Sequence, residues 1–144
     1  GEYGQTVKPF NKEVMEKVEE MKESAAGVKY PEVEPKEEIS LDDFDKVQIK
    51  VGEILQCEKV KKAKKLLVSQ IRVGNEVKQI VSGIALHYTP EEMVGKKVAV
   101  ITNLKPAKLC GLLSEGMILA AGDDEGNLSV LTVDKDIICG SEIC

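Results

Sequence analysis

The sequence predicts an all-β domain behind a helical and linker extension, and two observations carry that prediction. Apolar residues repeat at helical spacing only near the start, and from Val47 onward they alternate with polar ones. A single short, capped helix falls after the third candidate strand. The boundary is placed near Ile39, with 1–38 as helical segment and linker and 39–144 as the β domain.

In the extension, 11–26 (NKEVMEKVEEMKESAA) reads as an amphipathic helix. Asn11 caps it, Val14, Val18, Met21 and Ala25 share a face, and Gly27 stops it. So thin a stripe needs a partner surface. The following VKYPEVEPKEE has two prolines and little to bury, so it reads as a linker.

Within the domain, Val47, Ile49 and Val51 alternate with Lys46, Gln48 and Lys50, as a half-buried strand requires. Gly52 interrupts the alternation and suggests a bulge that lets this strand curl. Strands follow at 66–73 and 76–83, joined by the turn pair Gly74-Asn75. Thr89, Pro90 and Glu92 then form a capping box for the short helix, which Gly95 ends. A fourth strand is predicted at 96–103, a loop at 103–116, and further strands at 116–122 and 128–133.

Three strands, a helix and then more strands is the order of a five-stranded OB-fold barrel, here with extra strands at the C-terminal end. The order also permits an SH3-like barrel or a split sandwich, but the helix position favours the OB fold.

Composition narrows the function. No run of about 18 apolar residues exists to span a membrane. The N-terminal GEYGQTVKPF lacks a signal-peptide layout and reads as the cut edge of a longer polypeptide. Cys57, Cys110, Cys139 and Cys144 match no zinc spacing, so reduced cytosolic thiols, no metal and no cofactor are expected. The one histidine, His87, completes no nucleophile–base arrangement, and no P-loop or paired carboxylates appear. No catalytic residue is expected.

Charge points elsewhere. The formal net charge is −5, yet residues 46–108 carry net +8 between acidic flanks. Local fields decide where a polyanion lands. Lys59, Lys61, Lys62, Lys64 and Lys65 precede the second strand, where an OB barrel's first loop flanks its binding face. They could form a rim for phosphates or simply solubilise the loop.

The segment NLKPAKLCGLLSEGM is richer still. Asn103 can both donate and accept, and Lys105 and Lys108 flank the stiff Pro106. Gly111 and Gly116 permit unusual φ or close approach. Ser114 and Met117 could present a hydroxyl and an apolar arm to a base, and Glu115 could accept from a base amino group. Lys50 and Ser82, on the first and third strands, complete the candidate set. Each has a plainer structural role open to it. With no Trp, and only Phe44 and Tyr88 as aromatics in the domain, stacking platforms are nearly missing. A folded RNA, read through phosphates and shape, fits better.

These stretches resemble a known family. ISLDDFDKVQIKVGEIL and the run from KQIVSGIA through YTPEEMVGKKV, NLKPAKL and SEGM are similar to the tRNA-binding domain at the C-terminus of bacterial methionyl-tRNA synthetases. The resemblance covers about 39–144. It implies an OB fold, a homodimer through elements after the barrel, and cytoplasmic tRNA binding without base-sequence discrimination. It implies tRNA contacts at Asn103, Ser114 and Met117, with Lys105 and Lys108 as basic support. Two departures stand out: Lys64 lies where the family usually has Asp, and Cys110 where it often has a basic residue. The expected function is a non-catalytic module that raises a synthetase's tRNA affinity. A free-standing tRNA-binding or chaperone-like dimer, and a dimerisation domain without RNA affinity, are the alternatives.

Overall fold

The computed structural model describes residues 11–24 and 27–144. The chain divides into two compact units, Gly1–Glu34 and Pro35–Cys144. In the first, helix α1 (Lys12–Ser24) starts where the sequence places it, because the Val14 amide donates to Asn11 Oδ1 at 2.8 Å. Val14, Met15 and Met21 are exposed on it. Its predicted end at 25–26 lies outside the described residues. Gly27 has φ +91°, the left-handed backbone that suits a helix stop.

The second unit opens with a short helix, α2 (Leu41–Phe44), which periodicity alone does not reveal. A reciprocal cap forms it: Ser40 Oγ accepts from the Asp43 amide and Asp43 accepts from the Ser40 amide. Strand β1 (Ile49–Lys59) follows and is the spine of the domain. It pairs antiparallel with β2 (Leu67–Val73) along its second half and with β4 (Lys97–Ile101) along its first. Strand β3 (Glu76–Ser82) pairs with β2 across the Gly74-Asn75 turn, where Gly74 takes φ +64°.

The expected bulge is present but sits at a different residue. The β1–β2 register slips between Ile54 and Gln56, leaving Leu55 unpaired. Gly52 stays in register with Val98 of β4. A Cβ there would lie 2.6 Å from Ile71 Cγ2 and 2.9 Å from Val100 Cγ2, so glycine lets two core side chains cross the strand.

Helix α3 (Pro90–Met93) is capped by Thr89 Oγ1, which accepts from the Glu92 amide, and it buries Met93 completely. Its exit is stitched to β1: the Gly95 amide donates to Ile54 O and the Ile54 amide to Lys96 O. Met93 joins Ile54, Leu67, Ile71, Ile80, Val98 and Val100 in one core.

Beyond β4 the elements differ from those the sequence predicts. The predicted loop at 103–116 contains a hairpin, β5 (Ala107–Leu109) and β6 (Leu112–Ser114). Its two-residue turn, Cys110-Gly111, has φ of 50° and 78°, both positive as a type I′ turn demands. The predicted strand at 116–122 is two pieces, β7 (Met117–Ile118) on β4 and β8 (Ala120–Gly122) on β9 (Leu128–Val130). Residues 131–133 leave regular pairing except for a bridge from Thr132 to Val98. A last strand, β10 (Glu142–Ile143), pairs with Ile49 and Lys50 of β1, which no local pattern announces. Together β3-β2-β1-β4-β7 make a curled antiparallel sheet, an OB-like barrel.

The segment between β9 and β10 is held by Lys97. Its ammonium donates to Asp136 Oδ1 at 2.6 Å and to Ile137 O at 2.7 Å. The hydrogen bond raises the Lys97 pKa and lowers that of Asp136, so the pair stays charged across the neutral range. All four cysteines are free thiols. Cys57 is buried against Ser69, and burial pushes its thiol up.

Candidate functional site

A cleft of about 510 Å³ opens where the end of β3 meets the β5–β6 hairpin and β7. That volume falls inside the range of about 300–1,000 Å³ typical of ligand sites. Apolar side chains wall it, among them Ile84, Leu104, Leu109, Met117 and Leu128. Its polar lining residues are Ser82, Lys105 and Ser114. Four sequence candidates therefore meet here: Ser82, Lys105, Ser114 and Met117.

The wall exists because the segment after the hairpin closes the barrel against β3. The Gln79 amide donates to Glu115 Oε1 at 3.0 Å, and the Glu115 amide donates back to Gln79 O at 2.7 Å. Gln79 Nε2 donates to Leu113 O, and the Val81 amide to Ser114 Oγ at 3.0 Å. The Ser114 hydroxyl in turn donates to Gly116 O. These bonds satisfy the open edge of β3, which would otherwise expose unpaired amides. Ser114 and Glu115, expected to face a base, thus each engage one side-chain oxygen inside the fold. Ser114 retains only 5% exposure.

Asn103 behaves similarly. Its Oδ1 accepts from the Gln48 amide at 2.8 Å and its Nδ2 donates to Lys46 O at 2.7 Å. The side chain ties the end of β4 to the entry of β1. Met117, by contrast, remains 45% exposed at the cleft.

The other candidates are not among the cleft-lining residues. Lys108 projects from the exposed hairpin. Lys64 and Lys65 are exposed in the β1–β2 loop, which is fastened to the segment after β3 by the Ala85 amide donating to Lys65 O. Lys50 lines a second, polar cleft with Gln48, Asn75, Lys78 and Thr102. Lys78, opposite Ile71 in the β2–β3 register, is a further cation in that cleft which no sequence motif marks.

Ser82 is the exception among the buried hydroxyls. Its Oγ is buried and has no hydrogen-bond partner, the sole such side-chain atom among the described residues. Burying a hydroxyl unpaired costs about 1–3 kcal/mol. No local pattern marks this, because it depends on which groups β6 brings to β3.

An apolar cleft with a lysine at its edge, on a curled antiparallel barrel, defines a binding module of the OB-like class. Residues 49–142 match the family described as "Putative tRNA binding domain", and the chain belongs to that family. It is 53% identical over 137 residues to methionine–tRNA ligase of Methanocaldococcus jannaschii, covering 93% of this chain and 21% of that protein. It is 54% identical over 127 residues to methionine–tRNA ligase 1 of Bacillus anthracis, covering 87% and 19%. The chain thus spans about one-fifth of the length of these curated relatives. Among solved structures it is similar to a MetRS related protein from Pyrococcus horikoshii, with TM-score 0.72 and 38% identity over 76% of this chain and all of that one.

Proposed function

We propose that this chain is the non-catalytic, C-terminal tRNA-binding module of a methionine–tRNA ligase, raising the enzyme's affinity for tRNA. The observation that carries the reading is the ligase similarity over 93% of the chain, which takes in more than the 49–142 family match. The extension and the barrel are thus both similar to parts of one synthetase. In this reading Lys105 and Lys108, with Lys64 and Lys65 in the β1–β2 loop and Lys50 at the second, polar cleft, supply phosphate contacts. Met117 supplies apolar contact, and Asn103, Ser114 and Glu115 shape the surface that makes it.

Titration of the chain with tRNA at several salt concentrations tests this. Neutralising roughly four to six phosphates gives a log–log slope on the order of −3 to −5. Absence of salt-sensitive binding at low ionic strength would leave only a dimerisation role.

The reading extends to a cytoplasmic homodimer joined through the elements after β9. Support comes from apolar side chains there that find no cover in one chain: Leu131 and Ile137 are exposed, and Ile138 is 76% exposed. A two-fold interface would bury them against their copies. Sedimentation at micromolar concentration is expected to give a dimer, and Ile138→Asp to shift it to monomer. A wild-type monomer would remove the claim. No described helix is long and apolar enough to cross a membrane.

A further inference from the structure

The geometry points to the cleft beneath the β5–β6 hairpin as a receptor for one unpaired nucleobase of a folded RNA, held by apolar enclosure and by the Ser82 hydroxyl. This rests on the tRNA-binding reading above and adds what the cleft holds.

An RNA-binding surface usually gains its nonpolar contact by stacking bases on exposed aromatic rings. This unit has two aromatics, and Tyr88 is committed elsewhere. Its ring packs on the core and its hydroxyl accepts from the Val130 amide at 3.0 Å. Phe44, 40% exposed on α2, is not among the cleft-lining residues. Within the cleft, nonpolar contact with a base must therefore come from aliphatic walls. Leu104, Leu109 and Met117 are each more than 40% exposed, and all three line the cleft. Large apolar side chains left open around one concavity mark a surface that something covers.

Charge selects the occupant. Lys105 stands at the cleft, in the segment whose net charge is +8. A phosphate on Lys105 would leave its own base free to enter, since the apolar interior rejects the phosphate and accepts the ring. An apolar peptide side chain would use the walls but not the lysine.

Ser82 supplies the second observation. Its residue lines the cleft and is 9% exposed, yet its Oγ finds no partner inside the fold. Every other buried side-chain hydroxyl near β3 is paired, as Ser69 and Ser114 show. That oxygen is closed off where it stands, so an occupant reaches it only once the side chain turns. Rotation about the Cα–Cβ bond carries the hydroxyl among three wells and toward an occupant. A hydroxyl both donates and accepts, so it can pair with an edge of any base. The site would then enclose a base without choosing its identity.

The test uses this chain and unmodified tRNA. Dimethyl sulfate probing is expected to show at least one unpaired base protected by the wild-type chain. The pair Ala107→Leu and Ala120→Leu, two exposed cleft-lining positions, should fill the space, restore that base's reactivity and weaken binding at least tenfold. The salt slope should stay unchanged, because no cation is lost. Ser82→Ala should weaken binding several-fold while the thermal midpoint holds or rises, since an unpaired hydroxyl is removed; a structural serine would lower both. The inference is overturned if tRNA binds with the expected salt slope but no unpaired base is protected, or if the filled variant binds like wild type. It is also overturned if an uncharged leucine-rich peptide displaces tRNA from the wild-type chain, which would assign the cleft to a protein. Wild-type failure to bind tRNA at all would instead remove the parent reading together with this one.

Discussion

Gly116→Ala is expected to lower the unfolding free energy by about 1–3 kcal/mol, the range for forcing extra volume into a packed interior. Gly116 does not need a left-handed backbone; it needs space. A Cβ would lie 2.8 Å from the Ile101 carbonyl oxygen and 3.1 Å from Ile80 Cδ1. The isoleucine end can yield, but the carbonyl belongs to β4 and its position is fixed by the β4–β7 pairing, where Ile101 faces Met117. Relief must therefore move the 114–117 segment away from β4. That segment carries the bonds from Glu115 to Gln79 and from Ser114 to Val81, so the barrel closure loosens with it. The cleft wall includes Gly116 itself, and tRNA affinity should fall alongside stability. Urea denaturation measures the first effect and a binding titration the second. Unchanged stability would mean that the closure tolerates a shift of several tenths of an ångström, and that the tight approach at Gly116 has no energetic role.

How much of this was readable before the fold was known depends on the range of the interaction involved. The alternation of Val47, Ile49 and Val51 reports burial of one strand face, and β1 to β4 follow from signals of that kind. The Thr89-Pro90 cap is likewise local, confined to four residues. Strands β5 to β9 have two or three residues each, too few for any period to show. Strand β10 exists only because Ile143 reaches Ile49 across the whole domain. Gly52 shows the same limit in reverse: its interruption of the pattern was visible, but the two side chains that require it come from β2 and β4.

The site divides along the same line. NLKPAKLCGLLSEGM stood out by composition, and Lys105, Ser114 and Met117 do converge with Ser82 on one cleft. Sequence could not say which polar atoms face outward, because that depends on partners 30 to 60 residues away. Asn103 reaches back 55 residues to Gln48 and 57 to Lys46. Ser114 and Glu115 reach back 33 and 36 residues to Val81 and Gln79. A residue type suited to grasping a base is equally suited to closing a barrel, and only the register distinguishes the two uses.

Ser114→Ala and Met117→Ala separate those uses by experiment. Removing the Ser114 hydroxyl strands the Val81 amide in the interior and takes the only described side-chain donor from Gly116 O. A buried donor left unpaired costs about 1–3 kcal/mol, so the expected loss is on the order of 2 kcal/mol. For a two-state unit of this size that is a fall of several degrees in midpoint. Met117→Ala removes a side chain that is 45% exposed, and its midpoint should scarcely move. For tRNA binding the order reverses. Met117 offers its side chain to the cleft directly, so its loss should weaken binding even far below the unfolding transition. Ser114→Ala should bind nearly as wild type at low temperature, where the clasp still holds through the two Gln79–Glu115 bonds, and should lose affinity only as the closure opens on warming. If Ser114→Ala instead keeps its midpoint and loses affinity at every temperature, the hydroxyl leaves Val81 to contact the RNA, and the barrel closes without it.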